Sequence, residues 1–323
     1  MRLHAIDWVL IVSYFAISLG IGLAVARRAG SSVSEFFLSG RRMPWWLLGV
    51  SLVATTFSTD TPNCITDMLR TNGIAGNWVW WAFVLTGMST VFIYAKLWRR
   101  SGVLTDLEFY EIRYSGALAG FLRGFRSIYL GVLFNILIMA SVSLAAIKIG
   151  GVMFGFSPVK TLLISMAITV IYSMLGGFTG VLITDFFQFG IAMLGAVYAA
   201  IYVVQLPEVG GLENLLAHPN VRDRLAMLPD FSNTEYALAV FIVPLAVQWW
   251  AVWYPGSEPG GGGYVAQRML AARSEKDSIY AVLSFNIMHY ALRPWPWLLV
   301  GLASLIVYPD IDSLVAAFPH IDP

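Results

Sequence analysis

Residues 54–63 read ATTFSTDTPN, and they sit inside an apolar run, LLGVSLVATTFSTDTPNCITDML, at 47–69. Hydroxyls of Thr55, Thr56, Ser58, Thr59 and Thr61 surround one carboxylate, Asp60, and one carboxamide, Asn63. Pro62 has no N–H to give the carbonyl of Ser58, and its ring crowds the preceding turn. Freed carbonyls and hydroxyls are hard oxygen donors, suited to a small hard cation. The stretch is therefore a candidate site for a small cation and a polar solute together, and Asp60, an ionisable residue so placed, is a functional candidate. The same residues also fit a plain proline kink whose hydroxyls bond back to their own helix.

A second constellation is VQWWAVWYPGSEPGGGGYVAQRM at 247–269. Pro255, Pro259 and the run Gly260 to Gly263 cannot continue a helix. Just before and within that break, Gln248, Trp249, Trp253, Tyr254 and Glu258 offer an aromatic and polar lining. Aromatic faces cover organic solutes while Gln and Glu fix hydroxyl or amine groups. Trp253 and Tyr254 read equally well as members of an interfacial aromatic belt. A third feature is YSMLGGFTGVLITDFFQ at 172–188, with a Gly176-Gly177 turn and Asp185 about two helical turns beyond it. A carboxylate there either guides a cation or is a helix-start acid favoured by the helix dipole. Asn286, His289 and Arg293 fall three and four residues apart, on one helical face, and read as structural. No nucleophile–base pair, metal cluster or phosphate loop can be assembled, so the chain does not read as an enzyme.

The elements that must position these residues are membrane-spanning helices. Of 323 residues, 58% are hydrophobic and 12% charged, and mean hydropathy is +0.71. A soluble domain carries roughly 25% charged residues, so a wetted surface cannot be built from this sequence. The apolar residues gather in blocks long enough to cross a bilayer, at about 7–26, 44–66, 77–97, 121–149, 159–175, 180–205, 236–255 and 279–308. The expected architecture is an all-α integral membrane protein of about eight transmembrane helices. The first block is read as a retained span that stops at Arg27-Arg28. Lys and Arg crowd loops 27–43, 96–126 and 256–278, the last holding Arg268, Arg273 and Lys276. Basic loops face the cytoplasm, so the amino terminus is expected outside a plasma or inner membrane. The net charge of +1 suggests no nucleic acid, and the single cysteine, Cys64, excludes a disulfide framework. The four histidines show no metal-ligand spacing, and no organic cofactor is implied.

The two breaks fall in the second and seventh spans. Interrupted helices at corresponding positions of two halves point to an inverted-repeat transporter. On this reading 1–28 is an extra helix, 44–205 a first five-helix repeat, and 236–308 the first two helices of a second, so the sequence is expected to be unfinished and incompetent alone.

Three stretches, SEFFLSGRRMPWWLLGVSLVATTFS (34–58), GGFTGVLITDFFQ (176–188) and YVAQRMLAARS (264–274), resemble the solute:sodium symporter family. The resemblance implies a leucine-transporter-like fold and sodium as the coupling ion. It implies sodium-ligating backbone carbonyls at Ala54 and Phe57, next to Ser58, and substrate contacts at Asp60 and Thr61. Asp185 matches the acidic residue of the family's cytoplasmic sodium route. The stretch WYPGSEPGGGG departs from the better-known members, which leaves the solute class open. The function so implied is import of a small organic solute by alternating access; a symporter-like membrane sensor is the alternative. The oligomeric state is left open.

Overall fold

The computed structural model describes residues 4–58, 60–250 and 260–319. Among them the chain is helical, and the one β-type pairing is an isolated parallel bridge between Met43 and Ala272. We number the longer helices α1 (Ala5–Ala29), α2 (Trp45–Thr55), α3 (Thr61–Asn72), α4 (Ile74–Ser101), α5 (Ala117–Phe154), α6 (Pro158–Val204), α7 (Thr234–Ala246), α8 (Gly263–Ala271) and α9 (Glu275–Val307). Among the described residues five of these, α1, α4, α5, α6 and α9, are long and apolar enough to cross a membrane. Large apolar side chains stand outward on them: Leu118 is 81% exposed and Leu194 74%. A surface of that kind is matched to lipid and not to water. The chain is a multi-pass membrane protein.

α6 is 47 residues long, about 70 Å at the rise of an α-helix, more than twice the hydrocarbon thickness. It is two helical segments that meet at Gly177, whose φ of 51° and ψ of −157° are not helical. The turn expected at Gly176-Gly177 is thus a one-residue break. The 44–66 block divides likewise: α2 stops at Thr55 and α3 starts at Thr61. Pro62 occupies the first turn of α3, where its missing N–H costs nothing. The break lies before the proline, so Pro62 starts the second half-helix and is not a kink within one helix.

The described chain falls into two compact units. The first comprises Met1–Thr59, Gly87–Phe189 and Val252–Phe285. Its core gathers Leu38, Met43, Leu48, Leu182, Leu270 and Ala281. Here α1 and α6 meet through glycines: a Cβ on Gly22 would lie 3.0 Å from the Tyr172 carbonyl oxygen, and one on Gly176 3.2 Å from Gly22 Cα. Small residues of this kind let helix backbones approach inside a membrane.

The second unit comprises Asp60–Thr86, Gly190–Ala251 and Asn286–Pro323. In it α3 packs against the later part of α9, Gly301 facing Leu69 and Thr66. The 206–235 loop has short helices at Leu212–Ala217 and Pro219–Arg222. Its Val209, Leu215 and Val221 are buried against Leu69 and Leu302, which ties the loop to the core.

Candidate functional site

In the first unit, α2 ends in a ladder of short bonds. The Phe57 N–H donates to the Ala54 carbonyl (2.9 Å) and the Thr56 N–H to that of Val53 (3.2 Å). The hydroxyls of Thr55 and Thr56 donate to the carbonyls of Ser51 and Val53, both at 2.8 Å. These two hydroxyls back-bond to their own helix, as the kink alternative requires, yet the helix is broken. The Phe57 ring meets Phe189 edge-on at 6.4 Å, which pins the start of the break. Ala54, Phe57 and Ser58 are all half-buried there.

Asp185 is buried on the second segment of α6. Its carboxylate accepts a 2.5 Å hydrogen bond from the Ser51 hydroxyl and lies 3.5 Å from an Arg268 guanidinium nitrogen. It reaches α2 one turn before Ala54, so the expected cation route and the expected cation site share a half-helix. An acid stabilised only by a helix start would need no such partner. Arg268 is 4% exposed and donates to Ser51 Oγ (3.0 and 3.2 Å) and to Thr55 Oγ1 (2.9 Å). Its guanidinium also lies 5.0 Å from the Phe178 ring centre.

Counting charges by loop places Arg268 among cytoplasmic residues; instead it is inside α8, at the centre of this network. The overlooked signal is its setting: Val265, Ala266, Met269 and Leu270 around it are apolar and buried. A lone charge in such a helical run is the mark of an internal site. α8 itself starts where the glycine run ends, with Asp106 accepting from the Gly263 N–H at 2.9 Å.

In the second unit, Asp60 is the residue preceding α3, and its carbonyl accepts from the Cys64 N–H at 2.9 Å. Thr61 and Asn63 fill the first turn, where the Thr66 hydroxyl donates to the Pro62 and Asn63 carbonyls. α7 ends at Ala246, and a 3-10 turn covers Gln248–Trp250. The Gln248 amide donates to the Val79 carbonyl at 3.5 Å, and the Trp249 carbonyl accepts from the Thr86 hydroxyl. Gln248 and Trp249, two of the five residues of the second constellation, are thereby fixed to α4. Trp253, Tyr254 and Glu258 lie outside the described residues. Asn286, His289 and Arg293 are all buried, with His289 edge-on to Trp80 at 5.5 Å and Arg293 over Trp297 at 5.2 Å. The shared helical face is therefore an aromatic-packed interior face.

The Vibrio parahaemolyticus sodium/glucose cotransporter is 26% identical over 333 residues, covering 99% of this chain and 58% of that protein. The mouse solute carrier family 5 member 4B is 30% identical over 217 residues, covering 65% of this chain and 31% of that one. The chain thus spans about a third to just over half the length of these relatives. Among solved structures, a substrate-bound, outward-open Na+-coupled sialic acid symporter matches with a TM-score of 0.73 at 22% identity. The match covers 96% of this chain and 62% of that chain, and it shows a shared helical fold. The profile of the sodium:solute symporter family matches residues 36–310, a stretch that holds both helix breaks, Asp185 and Arg268. The chain belongs to the sodium:solute symporter family.

Proposed function

We propose that this chain carries out sodium-coupled import of a small organic solute by alternating access. The observation that carries the reading is that α2 ends at Thr55 and α3 starts at Thr61, inside the region the family profile matches. Interrupted helices within a membrane are tolerated where they line a cavity, and transporters use them to bind ion and substrate.

Sodium is held near the end of α2 by the carbonyls of Ala54 and Phe57 with the Ser58 hydroxyl. The solute is held by Asp60, Thr61, Asn63, Gln248 and Trp249, together with Trp253, Tyr254 and Glu258. Sodium then leaves past Asp185. The spans are ordered as an extra helix (1–28), a first repeat (44–205) and the opening of a second (236–308), with the amino terminus outside the cell membrane. One sodium crossing about 100 mV releases about 2.3 kcal/mol, and a tenfold gradient adds about 1.4 kcal/mol. The sum supports accumulation of order several-hundred-fold at one-to-one coupling.

The relatives' names make a hexose and a sialic acid the first probes. The purified protein is heated in detergent in sodium chloride or choline chloride, with and without each probe. Sodium at about ten times its dissociation constant stabilises by about 1.4 kcal/mol, so Tm rises in sodium and rises again with a bound solute. Identical melting in sodium and choline overturns the proposal.

A further inference from the structure

We infer that Arg268 is a built-in competitor of sodium at Asp185: the guanidinium occupies the carboxylate until a sodium ion displaces it, and its return drives the ion off. The inference rests on the sodium-coupled reading above and adds to it a residue that sets how tightly sodium is held.

Both groups are buried, Asp185 at 8% and Arg268 at 4% exposure. An uncompensated buried charge is strongly destabilising, so Asp185 is held there as a carboxylate only beside a cation. The cation present holds it loosely. The shortest guanidinium–carboxylate separation is 3.5 Å, longer than a good N–H···O hydrogen bond. It is far from the two-pronged pairing that arginine makes with a carboxylate where binding is meant to last.

The guanidinium is anchored elsewhere. It donates to Ser51 Oγ at 3.0 and 3.2 Å, to Thr55 Oγ1 at 2.9 Å, to Gln267 Oε1 at 3.2 Å and to the Tyr264 carbonyl at 3.4 Å. Phe178 and Tyr264 present ring faces 5.0 and 5.9 Å away. These neutral partners keep Arg268 solvated when it is off Asp185, which makes the displaced state accessible.

What the displaced guanidinium leaves behind suits a small hard cation. The Asp185 carboxylate and the Ser51 hydroxyl oxygen stand 2.5 Å apart, two hard donors of the kind alkali ions prefer. The Ser51 hydroxyl is the shared element: it donates to Asp185 and accepts from Arg268. Arginine cannot shed its proton in a protein, so the two cations repel and exclude one another at this carboxylate. Ser51 and Thr55 lie on α2, the half-helix that ends at the break, so exchange of the two cations is felt where sodium is first bound.

The test measures radioactive sodium binding and sodium-dependent solute uptake on the intact protein. Arg268→Gln removes the competitor, and the half-saturating sodium concentration falls at least about fivefold, in the range of a site–site coupling. Maximal uptake falls at the same time, because release is slowed. Arg268→Lys keeps the charge without the planar fork and restores part of both quantities. Adding Asp185→Asn to Arg268→Gln abolishes the tightening. A purely packing role for Arg268 lowers uptake without tightening sodium, and that result overturns the inference. Tightening that survives Asp185→Asn also overturns it. Should Arg268→Gln fail to fold, Arg268→Lys alone decides: a half-saturating sodium concentration shifted downward supports the inference, and an unchanged one defeats it. Absence of sodium binding in the unmodified protein sinks the symporter reading itself, whereas binding that ignores residue 268 sinks the competitor alone.

Discussion

At Gly177 the backbone takes a φ of 51°, and a Cβ there would lie 3.0 Å from Ala29 Cβ and 3.1 Å from the Phe36 carbonyl oxygen. Both the conformation and the space demand glycine. Gly177→Ala is expected to destabilise by about 1–3 kcal/mol, the usual cost of overpacking, read as a fall in Tm in detergent. Gly190→Ala, on the same helix with nothing within 4 Å of its Cβ, is expected to be neutral or to stabilise by up to about 1 kcal/mol. A larger loss at 190 than at 177 contradicts this account of the break. Single residues were legible in the sequence where their type clashed with their surroundings. Asp185 stood out as a carboxylate in an apolar run, and the buried face of Asn286, His289 and Arg293 followed from spacing. Arg268 did not stand out, because charge counting along the chain assigns an arginine near a glycine-rich break to a loop. Only the fold shows that the helix restarts at Gly263 and turns that arginine inward.

The half-helices carry a second kind of prediction. Pro62 sits in the first turn of α3, so the break does not depend on it. Pro62→Ala is expected to change stability by less than about 1 kcal/mol, since first-turn proline removes no helical hydrogen bond. A Tm loss typical of a disrupted helix would restore proline as the cause of the break. α8, by contrast, depends on its start. The Asp106 carboxylate receives the Gly263 N–H at 2.9 Å, and the Trp98 indole N–H is bound by the Gly260 carbonyl at 2.6 Å. Asp106→Asn keeps an acceptor but removes the charge, and is expected to cost about 0.3–1 kcal/mol of helix-terminus stabilisation; Asp106→Ala is expected to cost more. Both are measured by thermal melting, and an unchanged Asp106→Ala protein refutes the capping role. That helices end at Thr55 and Ala246 and start again at Thr61 and Gly263 was readable from proline, glycine and hydroxyl content. The position of the first break, ahead of the proline, was not, because hydroxyl back-bonding at Thr55 and Thr56 is a local choice that composition leaves undetermined.

Across the whole molecule, hydropathy and basic residues made the multi-pass class readable, since lipid imposes length and polarity on every span. Which helices face one another was not readable, because α1–α6 contact rests on glycines spread over Gly22, Gly176 and Gly180 with no short repeat. The orientation is testable directly. In a Cys64→Ser background, Ser115→Cys is expected to react with a membrane-impermeant thiol reagent only from the cytoplasmic side, and Asn220→Cys only from outside. The reverse pattern inverts the topology. The central claim, coupling of solute movement to sodium, is tested most directly in proteoliposomes with an imposed inward sodium gradient. A probe solute is expected to accumulate above its external concentration, more so with a negative interior potential, and to lose that accumulation when the gradient is dissipated; uptake that proceeds equally with choline in place of sodium overturns sodium coupling.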